Sequence, residues 1–235
     1  MAGDASPRAT EPSVHAVLAR VTDRVLYLIR HGQSDFGWSG RRWASARGDQ
    51  WDPPLSETGA EQATLLAQRL LVMELDPFVV YSSPLRRASE TAEAFARLAG
   101  AEVAFDDDLV EAHIGGWEGT PFEEIIASDP EIAQHIRNQR AIWHRAPGAE
   151  RSDTFRQRVR GAVDSIVEKH PRENVLVFAH GGVINAYIGE LLGLGQEMFF
   201  LPENTSLNSV DLDGATRIVR FLNDVLHLTD PLFFE

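Results

Sequence analysis

An apolar run delivers an arginine, a histidine and a glycine together in Leu28-Ile29-Arg30-His31-Gly32-Gln33-Ser34. The pattern from Val25 to Ile29 is typical of a buried strand, and open α/β sheets carry their reactive groups at strand ends. A neutral imidazole there can act as a nucleophile, while the adjacent guanidinium can hold the anion that it attacks. The segment therefore indicates phosphoryl chemistry, although a tripeptide of this kind also arises by chance.

A second histidine follows a second apolar run far downstream, in Val175-Leu176-Val177-Phe178-Ala179-His180-Gly181-Gly182-Val183. Here too a buried-strand pattern is followed at once by His-Gly, and then by a helical pattern from Val183 to Leu192. Two histidines at strand ends could share one ligand. The pair, His31 and His180, therefore predicts a single site built from distant parts of the chain.

Two further motifs stand between these histidines, namely Ser82-Ser83-Pro84-Leu85-Arg86-Arg87-Ala88-Ser89-Glu90-Thr91-Ala92 and Leu109-Val110-Glu111-Ala112-His113-Ile114-Gly115-Gly116-Trp117-Glu118-Gly119. With them, the chain resembles the histidine phosphatase superfamily, specifically its branch 1 phosphatases and the related cofactor-dependent phosphoglycerate mutases. The four motifs come in the family's order and span residues 30 to 180. Two more stretches are similar to the family, Asp52-Pro53-Pro54-Leu55-Ser56-Glu57-Thr58-Gly59 and Asn223-Asp224-Val225-Leu226-His227-Leu228.

The resemblance implies that His31 accepts the phosphoryl group and forms a phosphohistidine. Its attacking nitrogen must be unprotonated, and neighbouring arginine charge disfavours the imidazolium. A backbone carbonyl is expected to fix the other ring nitrogen. Arg30 and Arg87 are expected to hold the non-bridging oxygens, and His180 to donate to one of them. Arg86 stands beside the family arginine at Arg87, and we expect it to form a surface salt bridge instead.

The resemblance also implies an acid/base role for Glu111. Its carboxyl group would protonate the departing alkoxide or phenoxide and then activate water against the phosphohistidine. We prefer Glu111 to the nearby Glu118, because the Gly-Trp-Glu-Gly stretch around Glu118 shapes the loop in the family. Gly181 and Ser34 complete the predicted set of substrate-binding residues.

The chain departs from the family at Gly37, where many members have a phosphate-binding asparagine. One pocket donor is therefore either missing or supplied elsewhere, with Ser34, Arg41 and Arg42 as the candidates. The interval from Glu111 to His180 also lacks a clear counterpart of the basic, proline-rich insertion that the mutases carry. Net hydrolysis of a small phosphorylated substrate is therefore expected, with no metal and no cofactor. A phosphoglycerate-type mutase and a catalytically weak phospholigand-binding module are the alternatives.

Strand and helix patterns alternate along the chain. We predict strands at 25–29, 78–81, 103–105 and 175–179, helices at 58–73, 84–98, 122–127, 132–143, 154–170 and 183–192, and a closing antiparallel hairpin at 207–212 and 217–222. The segment 33–54 is predicted to be a long loop, whose three tryptophans would either line a substrate cleft or pin the loop to the body. This alternation favours a three-layer α/β/α sandwich with a mostly parallel central sheet, and the resemblance implies the same fold.

Length and composition set further bounds. The 235 residues suit one catalytic domain, predicted at 21–235, after a mobile tail at 1–20. Because the chain has no cysteine, disulfides and thiolate metal sites are excluded, and we expect a cytoplasmic protein. No run reaches the roughly 18 apolar residues that span a bilayer. Three consecutive acids, Asp106 to Asp108, are expected to form a solvated turn rather than a metal site.

The formal net charge of −13 argues against nucleic acid or an anionic membrane surface as a partner, since both favour basic patches. A phosphorylated substrate would also be repelled. The site must therefore be locally positive, and Arg30, Arg87 and a protonated His180 are the predicted source of that charge. Composition leaves the oligomeric state open.

Overall fold

The computed structural model describes residues 24–40, 42–45, 48–138 and 145–229. Eight strands lie in this part of the chain: β1 (Val25–Arg30), β2 (Trp43–Ser45), β3 (Gly48–Gln50), β4 (Phe78–Ser82), β5 (Val103–Phe105), β6 (Asn174–Ala179), β7 (Leu207–Asp213) and β8 (Thr216–Asp224). The six-stranded central sheet has the order β5-β4-β6-β1-β7-β8, while β2 and β3 form a separate antiparallel pair.

Strands β5, β4, β6 and β1 run parallel to one another, whereas β7 pairs antiparallel with both β1 and β8. Between β1 and β6, Tyr27 lies opposite Leu176 and Arg30 lies opposite Ala179. This register brings the carboxyl ends of β1 and β6 level, so that the residues following each strand leave the sheet at the same edge.

Helices cover both faces of this sheet. The described helices are α1 (Glu57–Val72), α2 (Arg86–Ala99), α3 (Phe122–Ser128), α4 (Pro130–Arg137), α5 (Ser152–Lys169) and α6 (Gly181–Leu191). Helices α1 and α2 pack on one face of the sheet, and α5 and α6 pack on the other. Because side chains alternate along a strand, Leu26 and Leu28 join one core cluster with residues of α5 and α6, while Tyr27 and Ile29 join another with residues of α1 and α2. The predicted three-layer α/β/α sandwich with a mostly parallel sheet is confirmed.

Several local boundaries differ from the predicted ones. The predicted loop at 33–54 contains the short β2–β3 pair. Helix α2 begins at Arg86 rather than at Pro84, because Leu85 still has extended backbone (ψ 133°). The predicted tail at 1–20 and the end of the predicted helix at 139–143 lie outside the described residues, and the single domain at 21–235 stays a prediction. Within the described part, no helix is both long and apolar enough to cross a membrane.

A buried histidine fastens the C-terminal part of the chain to α1. His227 is fully buried; its Nε2 lies 3.0 Å from the Thr205 hydroxyl and its Nδ1 lies 3.4 Å from an Arg69 nitrogen. Arg69 also forms a two-bond ion pair with Asp224. Burial, reinforced by the Arg69 charge, lowers the pKa of His227 from 6.5 to about 4. His227 therefore has a packing role in this arrangement.

The low pKa of His227 predicts an acid-sensitive fold. Between pH 6.5 and about 4 the unfolded chain binds a proton at this imidazole that the folded chain does not, so this contribution to stability is complete above pH 6.5 and is lost as the pH falls. We expect the urea midpoint to drop across this window in the native chain and to drop less in His227→Gln. Parallel midpoint profiles for the two proteins would contradict this account.

Candidate active site

The two strand-end histidines meet at the edge where β1 and β6 finish. The backbone N–H of His31 donates to the carbonyl of Ala179 over 3.1 Å, extending the pairing of the two strands by one residue. The imidazole rings of His31 and His180 have centroids 5.1 Å apart, with their planes inclined at 61°. Both residues are buried. The structure therefore brings the predicted pair into direct contact.

Hydrogen bonding fixes the tautomer of His31. Its Nδ1 lies 2.7 Å from the carbonyl oxygen of Gly32, which can only accept, so Nδ1 carries the proton. Nε2 is then left with a free lone pair, and the Arg87 Nε–H donates to it over 3.3 Å. Burial, followed by the charges of Arg87 and Arg30, holds the pKa of His31 well below 6.5. The ring is a neutral imidazole with its nucleophilic nitrogen unprotonated.

His180 is the N-cap residue of α6 and is fully buried. Its Nε2 lies 2.8 Å from the hydroxyl of Ser83, whereas its Nδ1 has no hydrogen-bond partner among the described residues. Burial, followed by the charge of Arg87 and with a further contribution from Arg30, holds the pKa of His180 well below 6.5. The expectation of a protonated His180 is therefore wrong for the ligand-free site, because burial beside two arginines disfavours a third positive charge.

The two predicted arginines supply the positive charge of the site. Arg30 donates through Nη1 to the carbonyl of Pro202, while its buried Nε has no partner among the described residues. Arg87, on the first turn of α2, donates to His31 and, over 3.3 Å, to the carbonyl of Trp51. Burial lowers the pKa of both guanidinium groups from its ordinary value, and the Glu111 charge opposes that shift in each case.

Glu111 is held by two backbone N–H groups. Its Oε1 accepts from Ala112 and its Oε2 accepts from Gly182, each over 2.9 Å. Gly182 allows this approach, since a Cβ at that position would lie only 2.2 Å from Glu111 Oε1. The competing carboxylate, Glu118, instead accepts from the backbone of Trp51 and of Ile114, at 2.8 and 3.0 Å. Glu118 thus holds the loops together, as expected.

A cavity of about 230 Å³ opens beside these groups. Its polar lining comes from Arg30, His31 and Glu111, together with Gly181 and Gly182. The rest of its lining is apolar and comes from Ala112, Ile114, Met198, Leu201 and Pro202. Gly181, a predicted substrate-binding residue, therefore lies at the cavity, and a Cβ there would be 3.8 Å from Arg30 Nε.

Neither of the described candidates for the donor that would replace an asparagine at Gly37, Ser34 and Arg42, is among the residues that line the cavity. Ser34 is buried, forms a backbone bridge with Leu55 and does not line the cavity. Arg42 donates to the carbonyl of Glu118 over 2.9 Å. Arg41 lies outside the described residues. Ser34 as a substrate contact stays a prediction.

The aromatic residues of this loop bind one another and α2. The Trp51 indole donates to the carbonyl of Trp38, Phe36 stacks on Trp51 with ring centroids 6.1 Å apart, and the Arg86 guanidinium lies 5.0 Å from the Trp38 ring centre. Neither Trp38 nor Trp51 lines the cavity. Of the two roles considered, these two tryptophans therefore pin the loop.

Sequence reasoning missed the residue that holds the Glu111 segment from behind. Arg158 of α5 donates to the carbonyls of Asp108, Val110 and Glu111 over 2.8 to 3.1 Å. It also forms a buried two-bond ion pair with Glu150 at 2.8 Å. An arginine within an amphipathic helix pattern gives no signal of such a role.

Three further supports of the site come from different loops. Gln50 donates to the Glu111 carbonyl over 2.9 Å, and Asn204 donates to the His31 carbonyl over 3.0 Å. Ser83, the third, was quoted within the Ser-Ser-Pro motif without a role.

Asp106 accepts from the Asp108 backbone at the start of a 3₁₀ turn over Asp107–Leu109, which agrees with the predicted turn. Among the described residues, no three His, Cys, Asp or Glu side chains are grouped to hold a metal ion.

Comparisons with known proteins agree with this arrangement. The model of the histidine phosphatase superfamily (branch 1) matches residues 26–225. A metal-independent phosphoserine phosphatase of Arabidopsis thaliana is 32% identical, covering 93% of this chain and 88% of its own. A putative phosphoserine phosphatase 2 of Hydrogenobacter thermophilus is 29% identical, covering 86% of this chain and 96% of its own.

Solved structures point the same way. YhfR of Bacillus stearothermophilus has a TM-score of 0.72 and 32% identity, covering 87% of this chain and 99% of its own. A mycobacterial glucosyl-3-phosphoglycerate phosphatase, solved with VO3, has a TM-score of 0.67 and 32% identity, covering 84% of this chain and 96% of its own. The chain belongs to the histidine phosphatase superfamily, branch 1, and is a phosphatase that hydrolyses phosphoric monoesters.

Proposed function

We propose that the protein is a metal-independent phosphomonoesterase that works through a phosphohistidine on His31, with Glu111 as general acid and base. The observation that carries this proposal is the fixed tautomer of His31: Nδ1 donates to Gly32, so that Nε2 is an unprotonated nucleophile beside Arg87. A buried, neutral imidazole is ready to attack phosphorus without first losing a proton.

The reaction proceeds in two balanced steps. In the first, His31 Nε2 forms a bond to phosphorus while the bond from phosphorus to the ester oxygen breaks, and Glu111 gives its proton to that oxygen. In the second, the Glu111 carboxylate takes a proton from water as the water oxygen forms a bond to phosphorus and the bond from phosphorus to His31 Nε2 breaks. Inorganic phosphate leaves, and His31 and the protonated Glu111 are restored.

Fixed donors stabilise the charge on the transferring group. Arg30 has a buried Nε with no partner, and His180 has a buried Nδ1 with none among the described residues. An unmet buried donor is costly unless a ligand satisfies it, and a phosphoryl oxygen suits both. Together with Arg87, these groups supply the electrostatic stabilisation that a metal ion provides in other phosphatases.

Net hydrolysis is favoured over the mutase alternative. Among the compared relatives, two are named for phosphoserine and another for glucosyl-3-phosphoglycerate, and all three are phosphatases. We infer a small phosphorylated substrate for this chain as well. A phosphoglycerate-type mutase would require a bisphosphate primer, and a phospholigand-binding module would show no turnover.

The proposal is tested with p-nitrophenyl phosphate in the presence of EDTA. We expect steady release of nitrophenolate and phosphate at a rate that the chelator leaves unchanged. Restoration of a lost rate by added Mg²⁺ or Zn²⁺ would contradict metal independence. Dependence of the rate on an added bisphosphate would favour the mutase. Absence of turnover would favour the phospholigand-binding module.

The two adjacent arginines of α2 predict unequal effects. Arg87→Ala removes a buried donor beside His31, and loss of one such donor from a transition-state site costs about 10²–10³-fold in rate. Arg86 is half-exposed and paired with Glu90 at 2.9 Å, so Arg86→Ala should reduce kcat/KM by less than about threefold. Both variants are assayed with the same aryl phosphate, and equal losses would show that Arg87 does not hold the phosphoryl group.

A further inference from the structure

We propose that the apolar end of the cavity selects phosphomonoesters with an uncharged, apolar leaving group: a short alkyl chain or a single aromatic ring. This inference rests on the proposed function, because it assumes that the phosphoryl group sits at the His31 end. It concerns the other end of the same cavity, where the alcohol or phenol part of the ester must lie.

The lining of the cavity divides by chemistry. The phosphoryl end carries its ionisable side chains: Arg30, His31 and Glu111. Apart from two glycines, the rest of the lining is apolar and forms what we call the second wall: Ala112, Pro202 and the larger Ile114, Met198 and Leu201. No ionisable side chain stands on this second wall among the described lining residues.

A charged leaving group would find no partner on this wall. Phosphoserine, for example, carries an ammonium and a carboxylate on the carbon next to its ester methylene. The Arg30 Nη1 is bound to the Pro202 carbonyl, and both oxygens of Glu111 already accept backbone N–H groups. Placing an unpaired charge against apolar side chains costs free energy, whereas burying an apolar group against them is favourable for binding.

The exposed surface of Leu201 adds a positive reason. Leu201 is one of the residues that line the cavity and is 76% exposed in all, and covering apolar surface with an apolar ligand group is favourable. The volume bounds the size of that group. At about 230 Å³, the cavity is smaller than the roughly 300–1,000 Å³ of pockets for drug-sized ligands, and it must also hold part of the phosphoryl group.

Binding of non-hydrolysable phosphonates to the intact protein tests the selection without turnover. By calorimetry, we expect the Kd to fall about two- to fourfold for each methylene added from ethyl- to pentylphosphonate, as apolar burial predicts. The matched pair is n-propylphosphonate and 2-amino-4-phosphonobutyrate, which share a skeleton and differ by the two charged groups of phosphoserine. The charged ligand should bind more weakly.

Substitution of the wall tests where the selection arises. Met198→Gln keeps side-chain length but introduces an amide, and it should reduce the gain per methylene. Leu98→Gln is the matched control, because Leu98 is an exposed apolar residue at the end of α2 and does not line the cavity. It should keep the full chain-length dependence.

Three results would overturn the inference: tighter binding of 2-amino-4-phosphonobutyrate than of n-propylphosphonate, a Kd independent of chain length, or equal slopes in Met198→Gln and Leu98→Gln. Failure of the proposed function has a different signature, because it would appear as absent or metal-dependent hydrolysis of p-nitrophenyl phosphate. The Kd values of the phosphonate series test the apolar wall whether or not the protein hydrolyses p-nitrophenyl phosphate.

Discussion

Replacement of His31 by alanine is expected to reduce turnover by at least about 10⁴-fold, the scale on which loss of a covalent nucleophile is felt. The imidazole of His31 is the group placed to form the bond to phosphorus. The Nε2 of His180 faces the Ser83 hydroxyl. The neighbouring Arg87 and Arg30 carry guanidinium groups, which are hydrogen-bond donors and do not act as a second nucleophile. The variant should remain folded, since Arg30 and the backbone of residue 31 keep their strand contacts.

The covalent intermediate gives a direct readout. Rapid denaturation during turnover of a ³²P-labelled ester should trap phosphate on the wild-type chain that is labile in acid and stable in base, and that maps to His31. His170→Ala is the matched control, because His170 lies at the end of α5 against Tyr81 and should leave both trapping and turnover intact. Substantial residual turnover in His31→Ala would refute the nucleophile assignment.

The second large effect is expected for Glu111→Gln, and its size should depend on the leaving group. An alkoxide must be protonated as it departs, whereas p-nitrophenolate hardly needs a proton. General acid catalysis typically contributes about 10²–10⁴-fold, so phosphoryl transfer from alkyl phosphates should fall by that factor while transfer from the aryl ester is spared. Single-turnover measurements of the two esters separate these steps.

The same variant should also reveal the base. Without the carboxylate, water attacks the phosphohistidine slowly, so the aryl ester should give a burst of nitrophenolate followed by accumulation of labelled intermediate. Glu118→Gln is the control, because Glu118 binds the backbone of Trp51 and Ile114. If alkyl and aryl transfer fall equally in Glu111→Gln, or if Glu118→Gln reproduces the contrast, the acid is a different group.

The sequence was most informative where a residue directly follows a strand. His31 and His180 could be paired from the sequence because two apolar runs each end in His-Gly, and parallel neighbours in a sheet bring such ends together. The layers could be predicted for the same reason, since alternating strands and helices leave few ways to cover both faces of a sheet.

The supports of the site could not be predicted, because they depend on contacts across long sequence distances. Arg158 reaches the Glu111 segment from the middle of a helix, and Asn204 reaches His31 from a loop more than 170 residues away in the chain. The prediction of a protonated His180 was wrong for a related reason. The sequence shows that arginines are present, but it does not show how deeply the imidazole is buried beside them.

Glu111 and His180 are attached to the same end of one helix: Glu111 binds the N–H of Gly182 in the first turn of α6, and His180 caps that turn. The proposed proton donor and the proposed phosphate-binding imidazole are thus held at a fixed separation by a short piece of backbone. Met198 and Leu201 lie beyond that helix, on the segment before β7. Evolution can therefore exchange the side chains of that segment and change which alcohol is released, while the distance over which the proton travels stays the same.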